Sequence, residues 1–141
     1  MLFSRRKTST SQITDSDLRN SSLQNKEKKL LSKLIDTELN NIKMKPNHNG
    51  RQYIFEAIMY MLENNPKTPK ELSPISHIAT SYNLYTSNVS RDMRTAINHA
   101  WLNTPIEVLE DNYKAPISSD LAEPTPMELI YYYYRKIKDL L

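Results

Sequence analysis

The stretch that decides the fold is Pro74 to Trp101, PISHIATSYNLYTSNVSRDMRTAINHAW. It reads as a short helix, a turn and a longer helix. On the longer one Val89, Met93, Ala96, Ile97 and Ala100 recur at three- and four-residue steps, the spacing of one buried stripe. At about 100° per residue, the opposite side carries Asn88, Arg91, Thr95 and Asn98, with Arg94 at its border. Such side chains hydrogen-bond base edges and phosphates, and an α-helix fits the major groove of B-DNA. The pattern predicts a helix-turn-helix with an apolar face toward the core and a basic face toward DNA. Thr86 or Ser87 caps the second helix, and a hydroxyl there can also hold a phosphate.

Working outward, three more helix starts share one grammar: Ser73-Pro74, Thr104-Pro105 and Thr125-Pro126 each pair a hydroxyl cap with proline at the first helical position. Glu107 and Glu128 stand three residues after the last two caps and complete the pattern of a capping box. Upstream, Leu30, Leu31, Leu34, Ile35, Leu39 and Ile42 define an amphipathic helix whose outer face carries Lys26, Lys28, Lys29 and Lys33. Ile54, Ala57, Ile58, Met61 and Leu62 define another, which Asn65-Pro66 stops. The last helix has Ile130, Tyr133, Ile137 and Leu140 at helical spacing. Tyr131 to Tyr134 wrap all round it, so part of that belt is expected to be exposed or paired with another chain. The expected architecture is all-α, with six helices at roughly 26–43, 50–64, 73–82, 87–102, 104–112 and 126–140. Residues 1–25, rich in Ser, Thr and scattered charge, are expected to be a disordered basic arm ahead of a domain spanning 26–141.

Composition narrows the function classes. The chain has 141 residues, one glycine, eight prolines and no cysteine. A single glycine leaves few hairpin turns and argues against an all-β fold. Without cysteine there is no disulfide frame, thiolate metal site or cysteine nucleophile. His48, His77 and His99 are far apart and show no ligand spacing, so no metal or cofactor is expected. No apolar run approaches the roughly 20 residues of a membrane span, and the chain is expected to be cytoplasmic. Residues 1–50 hold ten lysines and arginines against five acidic residues, whereas residues 101–141 balance at −3. A basic front half suits a polyanion. No carboxylate pair stands with a histidine or serine in a catalytic constellation, so an enzyme is not expected.

From about Leu30 to its end the chain resembles the C-terminal effector domain of the stage-zero sporulation response regulator family. The resemblance rests on residues in order and at matching spacing: GRQYIFEAI from Gly50, Ile78-Ala79 and Tyr82-Asn83, then Ser87, Val89, Arg91, Arg94, Ala96-Ile97 and Ala100-Trp101, and finally Pro124-Thr125. It implies a six-helix domain whose fourth helix reads the major groove of a short box, with copies bound as head-to-tail pairs. Arg91 and Arg94 occupy positions where the family sets arginines against bases and backbone. Asn88, Ser90 and Thr95 depart from the arginine, glutamate and histidine of a typical member. Site residues implied are therefore Ser87, Asn88, Ser90, Arg91, Arg94, Thr95 and Asn98, with Asn88, Ser90 and Thr95 tuning sequence preference.

The resemblance also implies a face toward the RNA polymerase sigma factor on Leu102–Tyr113, with Glu107, Glu110 and Asp111 as its acidic contacts. Family members carry a phosphorylatable receiver before this domain. Here the 25 polar residues ahead of Lys26 are too few for one, so the expectation is a regulator without a receiver. The competing expectation is a protein-interaction module that pairs with a full-length relative and antagonises it without touching DNA.

Overall fold

The computed structural model describes residues 15–68, 70–118 and 120–141, with side chains from Gln24 onward. The described residues form six helices and no strand. They are α1 (Asp15–Asn41), α2 (Asn49–Asn64), α3 (Pro74–Tyr82), α4 (Thr86–Asn103), α5 (Ile106–Asn112) and α6 (Pro126–Leu140). The chain divides into two compact units, residues 1–32 and 33–141. In the first, residues 15–32 are helical and the side chains from Gln24 to Leu30 are exposed.

The expected six-helix order holds, but the first helix begins well before residue 26. No proline or glycine interrupts residues 15–41, so backbone propensity continues the turns where no apolar stripe announces them. Residues 15–25 of the expected arm are thus helical, and residues 1–14 lie outside the described residues. Leu30, expected on the buried stripe, is 49% exposed, whereas Ile35, Leu39 and Ile42 are buried.

In the second unit α2 is the organising helix, packing against α3, α4 and α6. Tyr53, Ile54, Ala57, Ile58 and Met61 form its buried face, with Leu62 half-buried at the edge. Gly50 explains how closely α2 approaches α4. A Cβ at that position would lie 1.9 Å from the Asp92 carbonyl oxygen and 2.9 Å from the Met93 nitrogen, so only glycine admits this crossing. Next to it, the buried Arg51 guanidinium donates to the Met44 carbonyl (3.0 Å), Asp36 Oδ1 (3.2 Å) and Asn40 Oδ1 (2.8 Å). Those three bonds satisfy a charge that burial would otherwise penalise, and they clamp the end of α1 onto α2.

With so little glycine, the left-handed helix ends fall to other residues. Lys43 (φ 56°) closes α1, its N–H bonding the Asn40 carbonyl while the Met44 N–H reaches that of Leu39. Asn65 (φ 50°) closes α2 and Asn83 (φ 55°) closes α3, asparagine being among the non-glycine residues that best tolerate this region.

The C-terminal helix locks onto the rest by polar groups as well as by Leu129, Ile130 and Ile137. Tyr134 Oη donates to Asn65 Oδ1 (2.9 Å) or to the Pro66 carbonyl (2.8 Å), and Tyr133 Oη to the Asn112 carbonyl (3.3 Å). Lys136 Nζ pairs with the buried Glu38 carboxylate at 2.8 Å. Of the residues at helical spacing, Ile130, Tyr133 and Ile137 are buried, and Leu140 is exposed where the helix ends.

Of the expected caps, the Thr125–Glu128 box forms in both directions. Its backbone N–H bond from Thr125, then the Ser118 hydroxyl, hold the Glu128 carboxyl below its ordinary value. The Thr104–Glu107 box does not form. The buried Thr104 hydroxyl donates instead to the Ile42 carbonyl (2.9 Å), and α5 starts at Ile106. A long-range acceptor out of water outcompetes a local N–H that solvent can satisfy. Ser73 likewise bonds Ser76 Oγ (2.8 Å) rather than capping α3.

Candidate nucleic-acid interface

α3, the turn at Asn83–Tyr85 and α4 form a helix-turn-helix. The turn is a Schellman closure: the Leu84 N–H bonds the Ala79 carbonyl (2.8 Å) and the Asn83 N–H that of Thr80 (3.2 Å). This closure sets the angle at which α4 departs. Val89, Met93, Ala96, Ile97 and Ala100 are all buried, the stripe read from the periodicity. Ile78 and Ala79 of α3 are buried with them. α4 is therefore seated along its length on α2 and α3, and its other side faces outward.

The seven candidate residues fall into three groups. Ser87, Arg91 and Arg94 are exposed, and Arg91 keeps 66% of its side chain open. The Arg91 Nε lies 3.6 Å from Asp92 Oδ1, a loose surface pair that an incoming phosphate or base edge can replace. Asn88 and Ser90 are half-buried because they flank Val89 at the boundary of the stripe.

Thr95 and Asn98 are exposed residues with partners inside the chain. The Thr95 hydroxyl donates to the Arg91 carbonyl (3.0 Å), and the Asn98 amide donates to Glu123 Oε1 (2.9 Å). The buried Glu123 belongs to the segment before α6, so Asn98 fastens α4 to that segment. Periodicity could not show this partner, because it lies 25 positions away in sequence.

Several neighbouring residues were not legible in the pattern. Tyr82 is 41% exposed: its ring meets Tyr53 edge-on at 5.0 Å and its hydroxyl donates to Glu56. That hydrogen bond leads the causes pushing the phenol up to about 12. Trp101 is half-buried, edge-on to Tyr113 at 5.5 Å. His99 and His48 bring their rings to 4.8 Å, joining α4 to the start of α2. A polar cleft of about 270 Å³ opens there, lined by Asn47, His48, Gly50, Asp92 and Thr95. Glu107, Glu110 and Asp111 are exposed on or beside α5, together with Leu102 and Ile106.

Among the described residues no helix is long and apolar enough to cross a membrane, and no group of three His, Asp or Glu could hold a metal ion. A helix-turn-helix whose second helix is seated on its neighbours and presents two exposed arginines defines a class, the helical DNA-binding domain. The family described as sporulation initiation factor Spo0A C terminal matches residues 35–137, and the chain belongs to that family. It is a family of DNA-binding effector domains with a regulatory role rather than a family of enzymes. No curated protein matches the chain.

Proposed function

We propose that this chain is a sequence-specific regulator of transcription that reads the major groove of double-stranded DNA with α4. The observation that carries this reading is the division of α4 into a fully buried stripe and an outer face bearing Arg91 and Arg94, in a chain of a DNA-binding family. Burial of the stripe fixes the helix, so the arginines meet DNA without a large ordering cost. Arg91 and Arg94 supply the principal base and phosphate contacts. Ser87 anchors the backbone, and Asn88, Ser90 and Thr95 adjust the preferred box. Asn98 acts differently from the others, since its amide holds the Glu123 segment.

Copies bind as a tandem pair, and the surface formed by Leu102, Ile106, Glu107, Glu110 and Asp111 meets the polymerase sigma factor. Exposed Leu102 and Ile106, with exposed carboxylates at Glu107, Glu110 and Asp111 in the same segment, support that assignment. The work of such a regulator is done inside the cell.

The test is selection of bound sites from random duplexes, followed by fluorescence anisotropy on the enriched sequence at two salt concentrations. A short enriched box, lost in Arg91→Ala, is the expected result. Weak, salt-sensitive binding with no enriched box leaves a backbone binder. No binding, with helices intact by circular dichroism, transfers the role to an antagonist of a full-length relative.

A further inference from the structure

We infer that Tyr85 is a phosphate-contact residue of this chain, an inference that rests on the DNA-binding reading above. Tyr85 keeps 77% of its surface exposed, the largest fraction of any large hydrophobic residue among those described. Its backbone is nonetheless held. The Tyr85 carbonyl accepts the N–H groups of Asn88 (3.1 Å) and Val89 (3.2 Å), with φ −76° and ψ 147°. The residue is thus tied to the first turn of the helix that carries Asn88 and Arg91.

Its neighbour three positions back makes the contrast. The Tyr82 hydroxyl is taken up by Glu56 and its ring by Tyr53. No described residue hydrogen-bonds the Tyr85 hydroxyl, and no described ring stacks on it. A chain that gives partners to the tyrosine before the turn and none to the tyrosine after it has a donor in reserve at the start of α4.

Recognition helices enter the groove by their N-terminal residues, and the phosphates that flank the groove pass beside that end. A tyrosine hydroxyl is among the groups that bond phosphate oxygens, and a side chain with two χ angles loses little freedom on docking. Ser87 and Arg91 follow on the same helix, so the proposed contact sets register while Arg91 reads sequence. The contact is made by a neutral donor to a phosphate. It therefore strengthens binding to every duplex alike and releases no extra counterion.

The experiment is anisotropy of a labelled duplex carrying the selected box and of a scrambled duplex, at three salt concentrations, with wild type, Tyr85→Phe and Tyr85→Ala. Both variants are expected to weaken binding to both duplexes by about fivefold to tenfold, the scale of one hydrogen bond. The slope of log Kd against log salt stays at the wild-type value, and the melting temperature does not move. Wild-type affinity in Tyr85→Phe overturns the inference, because the hydroxyl is then unused. A loss confined to the selected box also overturns it, since the residue would then contact a base. Failure of the wild type to bind any duplex removes the DNA-binding reading itself, a result distinct from either of these.

Discussion

α4 and α6 are both amphipathic helices seated on α2, yet they use their polar groups in opposite ways. On α6, Tyr133, Tyr134 and Lys136 direct their polar atoms to Asn112, Asn65, Pro66 and Glu38, so these three groups are used inside the chain. On α4, Arg91 and Arg94 stand exposed, and the single ion pair of Arg91 is loose and local. A polar group with a distant internal partner holds the fold, whereas one without such a partner is open to an outside ligand. Asn98 shows the boundary between the two: it lies on the outer face of α4 but bonds Glu123.

Four changes test this contrast. The largest effect is expected from Gly50→Ala, which attacks the support both helices share. The new Cβ meets backbone atoms of Asp92 and Met93 that cannot yield as a flexible side chain does. A loss of about 3 kcal/mol or more, at the upper end of overpacking costs, is expected in urea unfolding, and α4 is displaced with it. Retention of wild-type stability would show that the crossing of α2 and α4 can widen without cost.

Arg91→Ala comes next and should separate binding from stability. DNA affinity falls by about 1–3 kcal/mol on the preferred site if the contact is bidentate to guanine. The melting temperature stays within the small range of surface substitutions. Equal loss on every sequence would make Arg91 a phosphate contact.

Tyr134→Phe is the mirror experiment on α6. Removing the hydroxyl strips Asn65 and Pro66 of their donor, at a cost of about 1–2 kcal/mol by thermal or chemical unfolding. The folded variant keeps its DNA affinity. A loss of affinity without loss of stability would break the division of labour between the two helices.

The smallest effect concerns the cap of α6. Glu128 has its carboxyl lowered by the Thr125 N–H and the Ser118 hydroxyl. A carboxylate held below its unfolded value stabilises the fold above that value, and the contribution disappears as pH falls through the lowered one. Wild type should therefore exceed Glu128→Gln in stability at neutral pH, and the gap should close below about pH 4.3. The group is largely solvated, so the difference is about 0.5 kcal/mol or less.

Local rules reached some of this molecule and not the rest. The stripe from Val89 to Ala100 was legible because helical periodicity and burial express one geometry. The Thr125–Glu128 box was legible because both its partners lie within one turn. Thr104 carries the same signature, yet its hydroxyl serves the Ile42 carbonyl, 62 residues away. Tyr82 looks like a core aromatic by composition, but the edge of Tyr53 and the Glu56 carboxylate keep it at the surface. The resemblance marked GRQYIFEAI without supplying its physical reason. That reason is the close crossing at Gly50 and the three bonds of Arg51.

From sequence alone come the helices, their order, the apolar stripe of α4 and the basic character of the face opposite it. Each follows from interactions between residues at most a few positions apart, where spacing stands in for distance. Tertiary structure alone decided that α2 passes within backbone contact of α4 and that Asn98 is bound while Arg91 is open. It also decided that Tyr82 finds partners in Glu56 and Tyr53, whereas no described residue bonds the Tyr85 hydroxyl. These depend on which distant segments meet, and a hydrogen bond or a steric limit exists only once they do.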